Sequence, residues 1–537
     1  MSLFDDASLV LIPDGAKDGK LYSVKPTDGT GDFTFTRGSN LAATRVDENG
    51  LIEKGRENLL LQSNQFDTDW SGAAILTSGQ SGYDGNNDAW LVTKNGNAFD
   101  RIFQLVSNNG IATFSIYAKA GTYNYMLLHI EDSAGDCLAN FNLSTGALGS
   151  LTNGITSTIE NVGNGWYRCS VTFNRNATDV RIFPSESGGY TGTSGSIYIQ
   201  DAQLEVGLVA TDYIETTTTT AVSGITEDLP RLDYSGGASC PALLLEPQRT
   251  NLVTQSEYLN GIVWNGKIGT SFDTNTTTSP EGLDNASLLK EDSSSGSHFA
   301  YKDFNLTNGA TYTISIFAKA NGANRNLRFG DGGLGWSSGF NANFDLTAGT
   351  ATSGGTIEPM GNDWYRCSVT GTTNATTCRL IIYSTLNAST TYQGDGTSGV
   401  YLYGFQIEEG SYPTSYIPTY GTSVTRNIDI CIKTSATSLI GQTQGTFFIE
   451  FVPLTSDPMD IFYFNQTTSS SVHLRGSNPI NARIRIGSFS FQVNGGNISV
   501  AQTYKVAVVY DESFGLKLFV NGVKYENNTP FTFAASL

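Results

Sequence analysis

The sequence predicts an all-β protein built from two tandem β-sandwiches, and three observations lead there. The string Ile-Glu-x-x-Gly-Asn-x-Trp-Tyr-Arg-Cys-Ser-Val, from Ile159 to Val171, returns from Ile357 to Val369 with Asp363 between Asn362 and Trp364. Within it, apolar Tyr167, Cys169, Val171 and Phe173 alternate with polar Arg168, Ser170 and Thr172, the period-two pattern of a strand with one face in a core. The 537 residues include 59 Gly, 29 Phe and 25 Tyr, a composition of sheets and turns, and no stretch carries sustained helical periodicity.

Other matched pairs keep the same order. Asn58-Leu59 returns as Asn251-Leu252, Ser115 to Ala120 as Ser315 to Ala320, and Gln203-Leu204-Glu205 as Gln406-Ile407-Glu408. The copies lie about 200 residues apart, too long a period for a solenoid, so they are domains. Each supplies roughly eight strands, the size of a two-sheet jelly roll.

The chain therefore divides into an N-terminal β-hairpin segment (1–57), a first jelly roll (58–216), a hairpin connector (217–250), a second jelly roll (251–420), a second connector (421–445) and a last domain (446–537). Thr216 to Thr220 is expected to be a linker. Residues 217–250 restate part of the N-terminal segment: Arg45-Val46-Asp47 becomes Arg231-Leu232-Asp233, and Glu53, Arg56 and Asn58 become Glu246, Arg249 and Asn251. Thr425-Arg426-Asn427-Ile428-Asp429 is a third echo. The recurring Glu53/Arg56 and Glu246/Arg249 are expected to couple hairpin to domain. In the last domain, Thr446 to Phe451, Tyr504 to Tyr510 and Leu516 to Val523 read as strands, the third ending at an Asn-Gly turn.

A net charge of −19 argues against nucleic acid and an anionic membrane as partners, while a neutral glycan remains compatible. No run of about 18 apolar residues is present, so no transmembrane helix is expected. Met-Ser-Leu-Phe-Asp-Asp lacks the features of a secretory signal, so synthesis in the cytoplasm without a signal peptide is expected. Of six cysteines, Cys169 and Cys367 match between copies. Cys137, Cys240, Cys378 and Cys431 do not, and Cys378 aligns with Val180. The thiols are read as free and buried.

Trp166, Tyr167, Trp364 and Tyr365 are the candidate glycan contacts, against the more economical reading that they pack the core. Trp70 and Trp264 are expected to plug the two sandwiches. Glu160/Glu358 and Glu205/Glu408 recur in register. Glycosidic catalysis needs two carboxylates at a set separation, whereas acids repeated in both copies are simpler as ladder or loop contacts. His129, His298 and His473 are unmatched, so neither a catalytic triad nor a histidine metal site is expected. No cofactor is expected; a structural calcium at Asp84-Gly85-Asn86-Asn87-Asp88 is the one metal candidate, and the second copy reads Glu281-Gly282-Leu283-Asp284 there.

The strands at 505–510 and 516–523 resemble the laminin-G/concanavalin-A-like lectin family, which implies a partial concanavalin-A-like sandwich. Such domains continue past this hairpin, so the chain is expected to be a fragment, the alternative being edge strands supplied by another subunit. Asp32 to Ser39, Ala43 to Glu53 and Pro230 to Leu252 resemble bacteriophage virion proteins, in head fibres, tail fibres and adhesins, and the tandem units resemble carbohydrate-binding-module jelly rolls. That resemblance implies a non-enzymatic structural protein on the virion surface, a homotrimer with other virion proteins (capsid, portal or tail) as partners. Adhesion to a host-surface glycan follows from it, with weak single sites made effective by multivalency. The alternatives are accessory modules of a polysaccharide depolymerase and a purely architectural decoration.

Overall fold

Strands in the first sandwich alternate apolar and polar residues around two long segments, Ile102–Ala120 and Trp166–Ser185, which pass through both sheets. The computed structural model describes residues 3–39, 41–337, 340–352, 354–464, 470–486 and 489–533. One sheet runs Ile75–Gln80, Ala89–Asn95, Ser194–Glu205, Ile102–Ala120, Trp166–Ser185, Thr156–Gly163. The other uses the far halves of the two long strands and adds Ser71–Gly72 on one side and Tyr125–Glu131, Cys137–Asn142 and Ala147–Thr152 on the other. A register slip between Leu105 and Asn108 marks the crossing from sheet to sheet, as bulges do where a strand bends.

The second sandwich repeats this order and adds one short strand, Thr391–Gln393, beside Ser295–Asn305, so the internal repeat is a repeat of topology. Its first sheet is Thr270–Thr277, Ala286–Glu291, Gly399–Glu409, Thr311–Asn321, Tyr365–Thr372, Gly355–Pro359. Its second is Gly266–Ile268, Ser295–Asn305, Thr377–Leu386, Arg325–Gly330, Ala342–Asp345, Thr350–Ala351. Here both long strands are broken at the corner; Gly309, at φ +81°, turns the first.

The cores correspond as well. Phe114, Ile116, Ala118, Cys169, Val171 and Leu204 are fully buried in one, and Ile314, Ile316, Ala318, Cys367, Val369 and Ile407 in the other. Burying one such large side chain stabilises by about 1.5–3 kcal/mol. Trp70 packs edge-on to Phe66, while Trp264 stacks on Phe272.

Two-stranded ribbons close each sandwich: Arg56–Asn58 pairs with Ala221–Ser223, and Arg249–Asn251 with Val424–Arg426. Two hairpins accompany them, Thr44–Val46 with Ile52–Lys54 and Arg231–Asp233 with Ala242–Leu244. Thr216 is not linker. It is buried and donates its amide to Ser63 Oγ, whereas 217–220 are exposed.

Arg37–Asp429 forms one compact unit, and Met1–Thr36 with Ile430–Leu537 forms the other. The N-terminal segment, read as one piece, thus divides after Thr36. In the second unit Ala16–Lys17, Lys20–Leu21, Phe33–Thr36 and Ile430–Ile432 make one sheet. A sandwich follows, with Gln444–Phe451, Tyr504–Asp511, Gly515–Val520 and Val523–Asn527 facing Met459–Phe464, Ser470–Gly476, Asn481–Ile486 and Phe489–Asn494. Val472, Leu474, Ile484, Val506, Val508 and Leu518 fill it. Asn521 and Gly522 both take positive φ, as the Asn-Gly turn requires.

Candidate functional site

Matched polar residues sit under each sandwich in the same arrangement. Asn58 Nδ2 donates to the carbonyls of Ala202 and Ile214 at 3.1 and 2.8 Å, and its Oδ1 accepts from the Leu204 amide. Asn251 does the same with Phe405, Ile417 and Ile407. Glu205 is wholly buried and accepts from Gln203 Nε2 at 2.7 Å and from the Thr211 amide and hydroxyl at 2.8 and 2.5 Å. Glu408 repeats this with Gln406 and Thr414. These carboxylates are consumed in holding a loop to a strand. Glu160 and Glu358 are exposed and sit opposite Arg168 and Arg366 in the ladder.

The densest chemistry lies at the joints. The first hairpin docks on the second sandwich. Ile52 packs among Phe317, Trp364, Tyr403 and Tyr416, and its amide donates to the Pro280 carbonyl. Lys54 Nζ reaches Glu257 at 2.5 Å, Glu281 at 3.0 Å and Tyr420 Oη at 2.6 Å. Glu257 also accepts from the hydroxyls of Tyr403, Tyr416 and Tyr420. Burial, reinforced by Arg56, pulls the Lys54 ammonium down to about 7 against the pull of Glu257. Arg56 bonds Glu281.

A second network gathers Arg37, Arg231 and Arg426 around Glu246 and Asp429, with every guanidinium at 0 % exposure. Burial would raise the Glu246 carboxyl, but Arg426 and Arg231 outweigh it and hold the group at about 2. Ser415 donates its amide and hydroxyl to the same carboxylate.

Of the four coupling residues, none bonds its sequence neighbour in the motif. Glu53 pairs with Arg45, Arg56 with Glu281, Glu246 with Arg231 and Arg426, and Arg249 lies 3.8 Å from Glu408. Reasoning from sequence missed Lys54, Glu257, Arg37 and Asp429. The available signal was mismatch: Asn64, next to Ser63, stands where Glu257 follows Ser256.

Trp166 and Trp364 are 1 % and 2 % exposed, so as folded neither offers a ring face to a sugar. Trp364 donates to the Thr278 carbonyl. Tyr167 and Tyr365 are half-buried against their cores and lie over Gly146 and Gly349, where a Cβ would meet the ring. The outer face of the sheet is covered differently in the two copies. Tyr83, from the first sandwich's own loop, stacks on Tyr117 at 3.8 Å, whereas Phe317 at the matching position is covered by the Ile52 hairpin. Tyr83 Oη donates to Asp201, which burial raises to about 7.

In the candidate calcium loop, Asp84 accepts from the Asn86 amide and side chain, and Gln200 Nε2 donates to Asp84 and Asp88. Amides of the protein thus take up these carboxylates. Although no histidine recurs between copies, His129, Glu131 and Asp136 converge with metal-ligand spacing. Four of the free cysteines are buried, Cys431 is half-buried, and Cys240 is exposed, contrary to expectation, because it lies in the loop of the second hairpin.

No family model and no curated protein matches the sequence. Among solved structures, the chain is similar to the tandem CBM51 modules of a family 98 glycoside hydrolase from Streptococcus pneumoniae. Identity there is 11 %, covering 71 % of this chain and 100 % of that one, with a TM-score of 0.19. It is similar to the ANXUR1 extracellular domain from Arabidopsis thaliana at 9 % identity, covering 65 % and 92 %, with a TM-score of 0.20. Likeness at this level carries no argument about this chain.

Proposed function

We propose that this chain is a non-enzymatic structural protein of a bacteriophage virion, a fibre or decoration whose sandwiches hold a fixed spacing and contribute to adhesion on a host-surface glycan. The observation that carries the reading is the pair of buried charge networks that tie the hairpins on either side of the first jelly roll to the second jelly roll and the segment that follows it. A flexible linker would let each module move independently, whereas Lys54–Glu257 fixes the hairpin that leads into the first sandwich to the second, and the Arg231–Glu246–Arg426 cluster fixes the connector between them to the strand closing the second. The segments resembling virion proteins supply much of this chemistry: Arg37 from 32–39, Arg45 and Glu53 from 43–53, and Arg231, Glu246 and Arg249 from 230–252. The resemblance is thus one of joint architecture. Glu205 and Glu408, the acids most suggestive of hydrolysis, are committed to structural bonds.

The test is immunogold labelling of purified particles, paired with a glycan array and a polysaccharide-cleavage assay on the isolated chain. Labelled particles with no turnover are expected. Unlabelled particles, or turnover on a capsular polysaccharide, would overturn the reading.

A further inference from the structure

We infer that His129, Glu131 and Asp136 form a binding site for a single divalent transition-metal cation on the first sandwich. His129 and Glu131 are two residues apart on Tyr125–Glu131 and so share one face, and Asp136 closes the hairpin turn onto Cys137–Asn142. His129 Nε2 lies 3.2 Å from Glu131 Oε2 and 3.2 Å from Asp136 Oδ2. His129 is 4 % exposed, yet its Nε2 has no hydrogen-bond partner. An unsatisfied buried ring nitrogen aimed between two acceptors leaves lone pairs facing one another.

A cation resolves that conflict. Ligands held about 2.1 Å from a metal at angles of roughly 90–110° lie about 3.0–3.4 Å apart, the separation of Nε2 from each of the two carboxylates, and all three ligand atoms lie within 4.8 Å of one another. The other ring nitrogen, Nδ1, is 2.8 Å from Tyr190 Oη, a contact that lets the metal-bound form carry its proton on Nδ1, donate there and leave Nε2 bare. Phe183 stacks on the ring at 5.9 Å and fixes its plane.

Charge balance agrees. Arg181 bonds Asp179 through Nε at 2.6 Å and Nη2 at 3.0 Å, and reaches Glu131 through Nη1 at 2.6 Å. The set Glu131, Asp136, Asp179 and Arg181 carries two net negative charges, the complement of a divalent ion. One nitrogen and two carboxylate oxygens suit Zn²⁺ or Co²⁺, with water in the remaining positions, and not Ca²⁺, which takes six to eight oxygens. The bound ion would pin the 132–136 turn to the sheet. This site stands apart from the virion reading.

The full chain, stripped with chelator, is titrated with Zn²⁺ and with Co²⁺ by calorimetry and visible absorption. One ion per chain is expected. Asp136→Asn and Glu131→Gln alter half-exposed carboxylates, so the fold survives, and each weakens binding by at least the roughly 10–100-fold that follows loss of a supporting partner. His129→Gln abolishes it, with circular dichroism checking the fold. Absence of saturable uptake, uptake unchanged in both carboxylate variants, or uptake lost on Cys240→Ser instead would each overturn the assignment.

Discussion

Lys54→Met, compared with the unsubstituted chain at a pH well below 7, where Lys54 is charged, tests whether the hairpin joint is held by its buried ion pair. The substitution keeps the length and apolar stem of the side chain but removes the ammonium from between Glu257 and Glu281. Glu257 is 0 % exposed and would keep only tyrosine hydroxyls and the more distant Arg56. Removing one member of a buried pair costs about 3–5 kcal/mol, because the remaining charge is left uncompensated. That cost falls on docking of 44–54, since both sandwich cores are untouched. The Ile52 amide, bonded to Pro280 across the joint, reports it directly. At roughly 1.4 kcal/mol per factor of ten, its hydrogen exchange should accelerate by about 100-fold or more. Lys54→Met with Glu257→Gln removes both charges and should restore most of the protection. Acceleration below about threefold in the single variant, or a double variant exchanging as fast as the single, would refute the ion-pair account.

Glu246 titrates at about 2 in the folded chain against an ordinary 4.5, so its contribution is complete above pH 4.5 and is lost as pH falls toward 2. The span corresponds to about 3 kcal/mol, and acid unfolding of Glu246→Gln should lack that limb. A thiol reagent should label Cys240 in the native chain, while Cys169 and Cys367, whose thiols burial holds well above their ordinary range, react only after unfolding; mass mapping of labelled peptides checks this. Trp364→Ala should cost about 3–5 kcal/mol in urea unfolding, with glycan-array signals of the folded fraction unchanged.

The all-β class and the duplicated sandwich were legible because strands write themselves locally. Alternation at Tyr167–Phe173 places one face in the core wherever the strand sits, and two copies of the same alternation must solve the same packing problem. The Asn521-Gly522 turn was legible for the same reason, since only residues tolerating positive φ close such a hairpin. The strands 459–464, 470–476, 481–486 and 489–494, which form the second sheet of the last sandwich, went unread even though Asn481–Ile486 and Phe489–Asn494 alternate polar and apolar residues strictly.

The joints were legible only as repetition. Glu53, Arg56, Glu246 and Arg249 could be singled out, but the charges facing three of them come from distant elements: Glu281 for Arg56, Arg426 for Glu246, Glu408 for Arg249. Sequence by itself determined which segments become strands and which side of each faces inward, since these follow from side-chain period and turn chemistry within a few residues. Tertiary structure alone decided that a lysine at 54 meets a glutamate at 257, and that His129 faces Asp136 across a turn. Charge pairing depends on where the folded chain brings distant residues together in a dry interior, and no local pattern encodes that distance.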